Sequence, residues 1–188
     1  MAIKIYIDQG HNPVNPNAGA EGNGFREQDL MYRIGKVLEQ FLLADDRFEV
    51  RLSRPDETTQ LGTSNASSLR LRVEDANAWG ADYFLSLHAN SSSNPAATGS
   101  EAFVYSRNGE AFVLADYILS SLNSVTGLSN RGVKIRPSLY VLRRTRMPAI
   151  LIELGFISNY NDATLMAYSP ELFAEGIYRG LLRYFGLS

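Results

Sequence analysis

Ile3-Lys4-Ile5-Tyr6-Ile7-Asp8-Gln9-Gly10-His11 opens the chain with an alternating, β-branched run that passes into a loop rich in Gly, Asn and Pro, lasting to Gly24. Beyond the loop, Leu30, Ile34, Val37, Leu38, Phe41 and Leu42 repeat at the spacing of one apolar helix face, with Glu27 and Asp29 in the first turn, where acidic side chains favour the helix dipole. The alternation then repeats. Further strands are predicted at 48–53, 83–88, 101–105, 139–142 and 149–153. Helices are predicted around Leu69, Val73, Ala76 and Trp79 with Gly80 past the end, around Phe112 to Leu122, and around Phe173, Ile177, Leu181 and Tyr184 behind a Ser169 cap and Pro170. Six strands alternating with helices predict an α/β domain: a mainly parallel sheet covered by helices on both faces.

The chain has 188 residues, 45% hydrophobic and 20% charged, so residues 1–188 read as one domain with a core large enough to need no staple. Cysteine is absent, which excludes thiol catalysis and cysteine-held metal, so any metal must sit on His, Asp or Glu. The net charge of −2 argues against a nucleic-acid binder. That average hides an asymmetry: no acidic residue lies between Asp116 and Glu153, while Arg131, Lys134, Arg136, Arg143, Arg144 and Arg146 do. No run approaches the roughly twenty apolar residues of a membrane span. The first residues lack the basic lead and long apolar stretch of a signal peptide, so none is expected.

Only two histidines are present. His11 follows the first strand and His88 ends the strand at 83–88, so both sit at carboxyl ends, where ligand crevices form in open α/β sheets. Glu153 ends an apolar strand at the same edge, and Glu27 opens the helix fed by the His11 loop. Two histidines, a carboxylate and a second carboxylate make the set that hydrolytic zinc needs: three ligands, an open position for water and a base. The same letters fit hydrogen-bonded structural histidines and a carboxylate serving only a helix dipole. A charge ending an apolar strand is the harder one to explain without a partner.

Four segments in order carry a resemblance: Ile7-Asp8-Gln9-Gly10-His11; Gly24-Phe25-Arg26-Glu27-Gln28-Asp29-Leu30; Ser86-Leu87-His88-Ala89-Asn90; and Met147 to Asn159 with Ile150-Leu151-Ile152-Glu153-Leu154-Gly155-Phe156 at its centre. Together they resemble the zinc-dependent N-acetylmuramoyl-L-alanine amidases of the amidase-3 family over essentially the whole chain. The resemblance implies a twisted mixed sheet, His11, Glu27 and His88 as Zn²⁺ ligands, and Glu153 as the catalytic carboxylate. It implies hydrolysis of the amide between N-acetylmuramic acid and L-alanine in peptidoglycan, without a covalent intermediate, at the cell wall or the outer side of the envelope, with room for an activating protein partner. Arg143, in the lead into the catalytic strand, and Asn90 are the candidate substrate contacts; Arg131, Lys134 and Arg136 read equally as a solvated basic face. Gln9 stands where the family commonly has Pro, and Asn12 and Pro13 where it has Gly-Gly, which changes the backbone choices of the loop. No autoinhibitory helix is visible between His88 and Glu101. The competing readings are a zinc carboxypeptidase trimming stem peptides and a wall-binding module with a silent site.

Overall fold

A computed structural model describes residues 2–187. β1 (Ile3–Gln9) lies inside a six-stranded sheet with β4 (Phe48–Leu52), β5 (Tyr83–Asn90), β6 (Ser100–Val104), β7 (Asn130–Ile135) and β8 (Ala149–Phe156), in the order β4-β1-β5-β8-β6-β7. The first four strands in that order run parallel. β6 pairs antiparallel with β8 and parallel with β7, so the sheet is mixed at one edge. A two-stranded hairpin, β2 (Glu21–Gly22) with β3 (Phe25–Arg26), sits in the loop before α1 (Glu27–Leu43).

Period-two alternation divides each strand between two cores. Ile5, Ile7, Leu85, Leu87, Ile150 and Ile152 face α1, α3 (Glu110–Thr126) and α6 (Pro170–Phe185). Tyr6, Phe84, Leu151 and Phe103 face α2 (Asn65–Trp79) and the short α4 (Tyr140–Arg144). Helices on both faces are what the alternation predicts.

Three local expectations change. Residues 139–142 are not a strand: four apolar residues fit either element, and packing of Val141 and Leu142 with Val73 of α2 makes them helical, with Thr145 Oγ1 donating to the Val141 carbonyl at 2.7 Å. The sixth strand is instead β7, a polar edge strand whose Arg131 and Lys134 conceal it from a search for apolar runs. Ser169 stands before α6 but makes no side-chain cap, because it also ends α5 (Tyr160–Tyr168) by donating its N–H to the Leu165 carbonyl.

α3 and α6 approach closely because α6 presents Gly176 and Gly180 to them. A β-carbon at Gly180 would lie 2.5 Å from the Ile118 α-carbon, and one at Gly176 would lie 2.6 Å from that of Leu122. Both neighbours are backbone atoms that cannot swing aside. Gly180→Leu is therefore expected to destabilise the fold by about 1–3 kcal/mol by overpacking, read by urea unfolding, whereas Arg179→Ala on the exposed face changes it by less than about 0.5 kcal/mol.

Candidate metal and catalytic site

His11, Glu27 and His88 converge at the carboxyl ends of β1 and β5. Glu27 is the first residue of α1 and is buried. Its Oε1 lies 3.2 Å from His11 Nε2 and 3.0 Å from His88 Nδ1, and accepts the Ala89 N–H at 3.0 Å. Its Oε2 accepts the Ala20 N–H at 3.0 Å. The imidazoles meet edge to face at 4.9 Å, and one ligand atom from each of the three residues lies within 4.8 Å of the others. Burial alone would raise the Glu27 carboxyl; hydrogen bonds from both imidazoles outweigh it and hold the group far below the usual carboxylate range.

Two nitrogens and one carboxylate oxygen form the donor set of a hydrolytic zinc centre, and His11 Nε2 and His88 Nδ1 both face Glu27 Oε1, so the residues fit such an ion. The histidine side chains keep 21% and 19% of their exposure, which leaves the cluster open on one side.

The cluster depends on how the chain leaves β1. Gly10 passes so near His88 that a β-carbon there would stand 2.7 Å from its Cε1 and 2.5 Å from the Leu87 carbonyl oxygen. His11 then takes φ +69°, a conformation costly for a side chain with a β-carbon. Arg72 of α2 holds it there. The buried guanidinium bonds Asp8 Oδ1 at 2.5 Å, the Gln9 carbonyl at 2.6 Å, the His11 carbonyl at 2.6 Å and Asn12 Oδ1 at 3.2 Å. Ser86 Oγ donates to the other Asp8 oxygen at 2.7 Å. Burial would raise the Asp8 carboxyl, but Arg72 and Ser86 keep it below its ordinary value. Neither Asp8 nor Arg72 was singled out from the sequence. The available signal was Arg72 itself, a charge three residues after Leu69 in a stripe continued by Val73 and Ala76.

The loop departures are built in. Gln9 is fully buried; its amide donates to the Arg54 carbonyl at 3.0 Å and accepts the Arg54 N–H at 2.9 Å. Asn12, also buried, donates to the carbonyls of Pro16 and Leu61 at 2.8 and 2.9 Å and accepts the Leu61 N–H at 3.1 Å. Side-chain amides thus hold the loop.

Glu153 of β8 is register partner to His88 on one side and Glu101 of β6 on the other, so the three side chains rise from one sheet face in a row. Glu153 Oε2 is buried and unpartnered. Burial, then the charges of Glu27 and Glu101, pushes its carboxyl up to about 8. Glu101 differs: burial opposes its charge, but Lys134 and Arg131 bind its Oε2, the latter at 3.0 Å, and keep it below the usual range. Asn90 donates to Glu101 Oε1 at 2.9 Å and lines, with Glu153, Phe103, Arg136, Leu139 and Leu151, a cavity of about 250 Å³. Leu139 and Leu151 continue into a cavity of about 150 Å³ over His11 and His88, walled by Leu69, Tyr140 and Val141. The two adjoin at Leu139 and Leu151 and together are the groove beside the cluster.

Asn90 therefore lies in the groove, and Arg143 does not. Because residues 140–144 are helical, Arg143 points to solvent and lines a separate cavity of about 470 Å³ with Tyr105, Met147 and Ala149, at the start of β8 rather than beside Glu153. Arg136 is the cation that lines the Glu153 half of the groove.

Comparison with known proteins gives a consistent picture. The family model described as N-acetylmuramoyl-L-alanine amidase matches residues 5–183. The chain is 36% identical over 190 residues to the N-acetylmuramoyl-L-alanine amidase CwlM of Bacillus licheniformis, covering 99% of this chain and 70% of that protein. Its fold superposes at TM-score 0.87 on an N-acetylmuramoyl-L-alanine amidase from Clostridium difficile 630, 31% identical, covering 98% and 97% of the two chains. At TM-score 0.89 and 26% identity it matches the CwlD amidase of Clostridioides difficile, solved in complex with the GerS lipoprotein, over 99% and 100%.

Two outcomes are expected. Arg72→Met leaves the Asp8 charge buried without its cation and should cost about 3–5 kcal/mol in urea unfolding. Glu153 has a folded-state pKa above its unfolded one, so the stability tied to its proton is present below the unfolded value and is lost as pH rises through about 8. In metal-free protein, Glu153→Gln should remove that loss: the variant gains on the wild type between about pH 5 and about pH 9, measured by unfolding in chelator.

Proposed function

The chain belongs to the N-acetylmuramoyl-L-alanine amidases, and we propose that residues 1–188 act as one catalytic domain that hydrolyses the amide between N-acetylmuramic acid and L-alanine in peptidoglycan, using a zinc ion held by His11, Glu27 and His88. The observation that carries this is the juxtaposition of that donor cluster with a half-buried carboxyl on the neighbouring strand whose Oε2 is buried and unpartnered. Bound there, zinc supplies the charge that acidifies a water, polarises the amide carbonyl and draws the Glu153 carboxyl down towards its ionised form.

The chain's own residues do the rest. Glu27 would supply the carboxylate oxygen that faces a nitrogen of each imidazole, while Arg72 and Gly10 set the height of His11 above the sheet. Glu153, whose Oε2 no other group engages, takes the proton of the attacking water and returns it to the leaving alanine nitrogen. Glu101 is tied up by Lys134 and Arg131 and stays a fixed charge behind it. The groove walls, Leu139, Leu151 and Tyr140, limit water around the scissile bond. This reading places the enzyme's work at the cell wall, on the outer side of the envelope. No helix among the described residues is long and apolar enough to cross a membrane. An accessory protein belongs to the proposal as well, the CwlD amidase having been solved with the GerS lipoprotein.

Zinc content and turnover measured on the same preparations test the division of roles. Wild-type protein is expected to hold about one zinc and to release intact stem peptides, detected by mass, from purified peptidoglycan. His11→Ala, His88→Ala and Glu27→Ala should lose zinc and activity together. Glu153→Ala should keep its zinc while kcat falls by roughly 10²–10⁴. Trimmed stem peptides still attached to glycan would instead mark a carboxypeptidase, and a zinc-free Glu153→Ala would move Glu153 into the ligand set.

A further inference from the structure

The acid-free segment between Asp116 and Glu153 brings three cations to the β6 side of the groove, and they have different employment. Arg131 and Lys134 bind Glu101. Arg136, at the end of β7, has no carboxylate within salt-bridge distance among the described residues, yet it lines the same cavity as Glu153 and Asn90. Its main chain is fixed on both sides, its N–H donating to the Val104 carbonyl at 2.9 Å and its carbonyl accepting the Leu139 N–H at 3.2 Å, with Pro137 restricting the turn between. Its guanidinium lies over the Phe103 ring, 5.3 Å from the centroid, which holds it above the sheet face while leaving its N–H donors unspent.

The register sets its distance from the chemistry. Phe103 pairs with Leu151, two residues before Glu153, and such diagonal neighbours on an antiparallel pair stand about 7–8 Å apart. A bound peptide advances about 3.3–3.6 Å per residue, so the Phe103 platform stands about two residues' length from Glu153, and the guanidinium over it is within reach of the first peptide residues beyond the scissile bond. The other half of the groove offers no comparable charge. It is walled by Leu69, Leu139, Tyr140 and Val141, and its Asp8 and Arg72 neutralise one another. A substrate with an uncharged sugar on one side of the scissile amide and an anionic peptide on the other is oriented by that difference.

Resting on the amidase reading above, we propose that Arg136 is a specificity-determining residue: its guanidinium binds the free carboxylate of the residue that follows alanine in the stem peptide, seating the peptide over β6 and the glycan towards α2. The contact is bidentate and charge-assisted, a geometry that suits Arg and that Lys satisfies only in part.

The test uses zinc-loaded protein and two matched N-acetylmuramoyl-L-alanyl-glutamyl peptides, one with the glutamyl carboxylate free and one with it converted to the amide. Wild type is expected to show a KM about tenfold lower for the free acid. Arg136→Ala should raise the KM for the acid to that of the amide, the change falling on KM rather than kcat, and Arg136→Lys should restore part of the preference. Arg146→Ala, which alters a cation outside the groove, should behave as wild type. A wild type indifferent to amidation, or a preference that survives in Arg136→Ala, overturns the proposal. Equilibrium binding of both peptides to Glu153→Ala, with and without Arg136→Ala, separates it from the amidase reading. If wild type cleaves neither peptide, the amidase reading fails, and loss of the binding preference on removing Arg136 still upholds the carboxylate subsite, while its persistence overturns it.

Discussion

The buried pair between Asp8 and Arg72 is the constraint on which the site depends. Taking both charges out of water costs several kcal/mol per ion, and attraction alone repays that only when the remaining donors are also satisfied. Arg72 spreads its donors over Asp8, the carbonyls of Gln9 and His11, and Asn12. Those carbonyls flank Gly10, the point where the chain passes nearest to His88. A guanidinium is planar and rigid, so holding both carbonyls fixes the path between them. The position of His11 is thus set from α2, an element distant in sequence, and the unfavourable φ of His11 is tolerated because its surroundings leave no alternative.

Three glutamates show how one residue type is divided among tasks by its neighbours. Glu27 sits between two imidazoles at the start of a helix and stays charged. Glu101 sits beneath Lys134 and Arg131 and stays charged. Glu153 faces both, with its Oε2 buried beside no cation and no donor, so it alone favours the neutral form. The two charged neighbours contribute to that preference, which makes the proton affinity of Glu153 a property of the row rather than of its own strand.

This arrangement was legible in the sequence to different depths. His11, Glu27, His88 and Glu153 could be located because His11 follows a strongly patterned strand, His88 and Glu153 end one and Glu27 opens a patterned helix, and strand ends on one edge of a parallel sheet meet. What could not be read were contacts that need the third dimension: Arg72 reaching under the His11 loop, Glu101 completing the row from a strand that runs the other way, and β7, whose charges conceal its pairing. The segment 139–142 marks the limit of local pattern. Its four apolar residues suited a strand, and packing against α2 made them part of a helix instead. That change has a chemical consequence, since it turns Arg143 out to solvent and leaves Leu139 and Tyr140 as walls of the groove.

The uneven charge of the chain follows from the same geometry. Glu153 and Glu101 side by side on one sheet face, with Glu27 close by, would be strongly repulsive without nearby cations, and the mixed edge of the sheet supplies them. β7 runs parallel to β6, which brings Arg131 and Lys134 beside Glu101 while the chain continues to Arg136 at the rim. An acidic residue beside Arg131 or Lys134 would compete with Glu101 for the same partners at about 1–4 kcal/mol per close contact in a partly buried site. The absence of acid from β7 therefore leaves Glu101 its two partners, and the cation that Glu101 does not engage, Arg136, faces the groove.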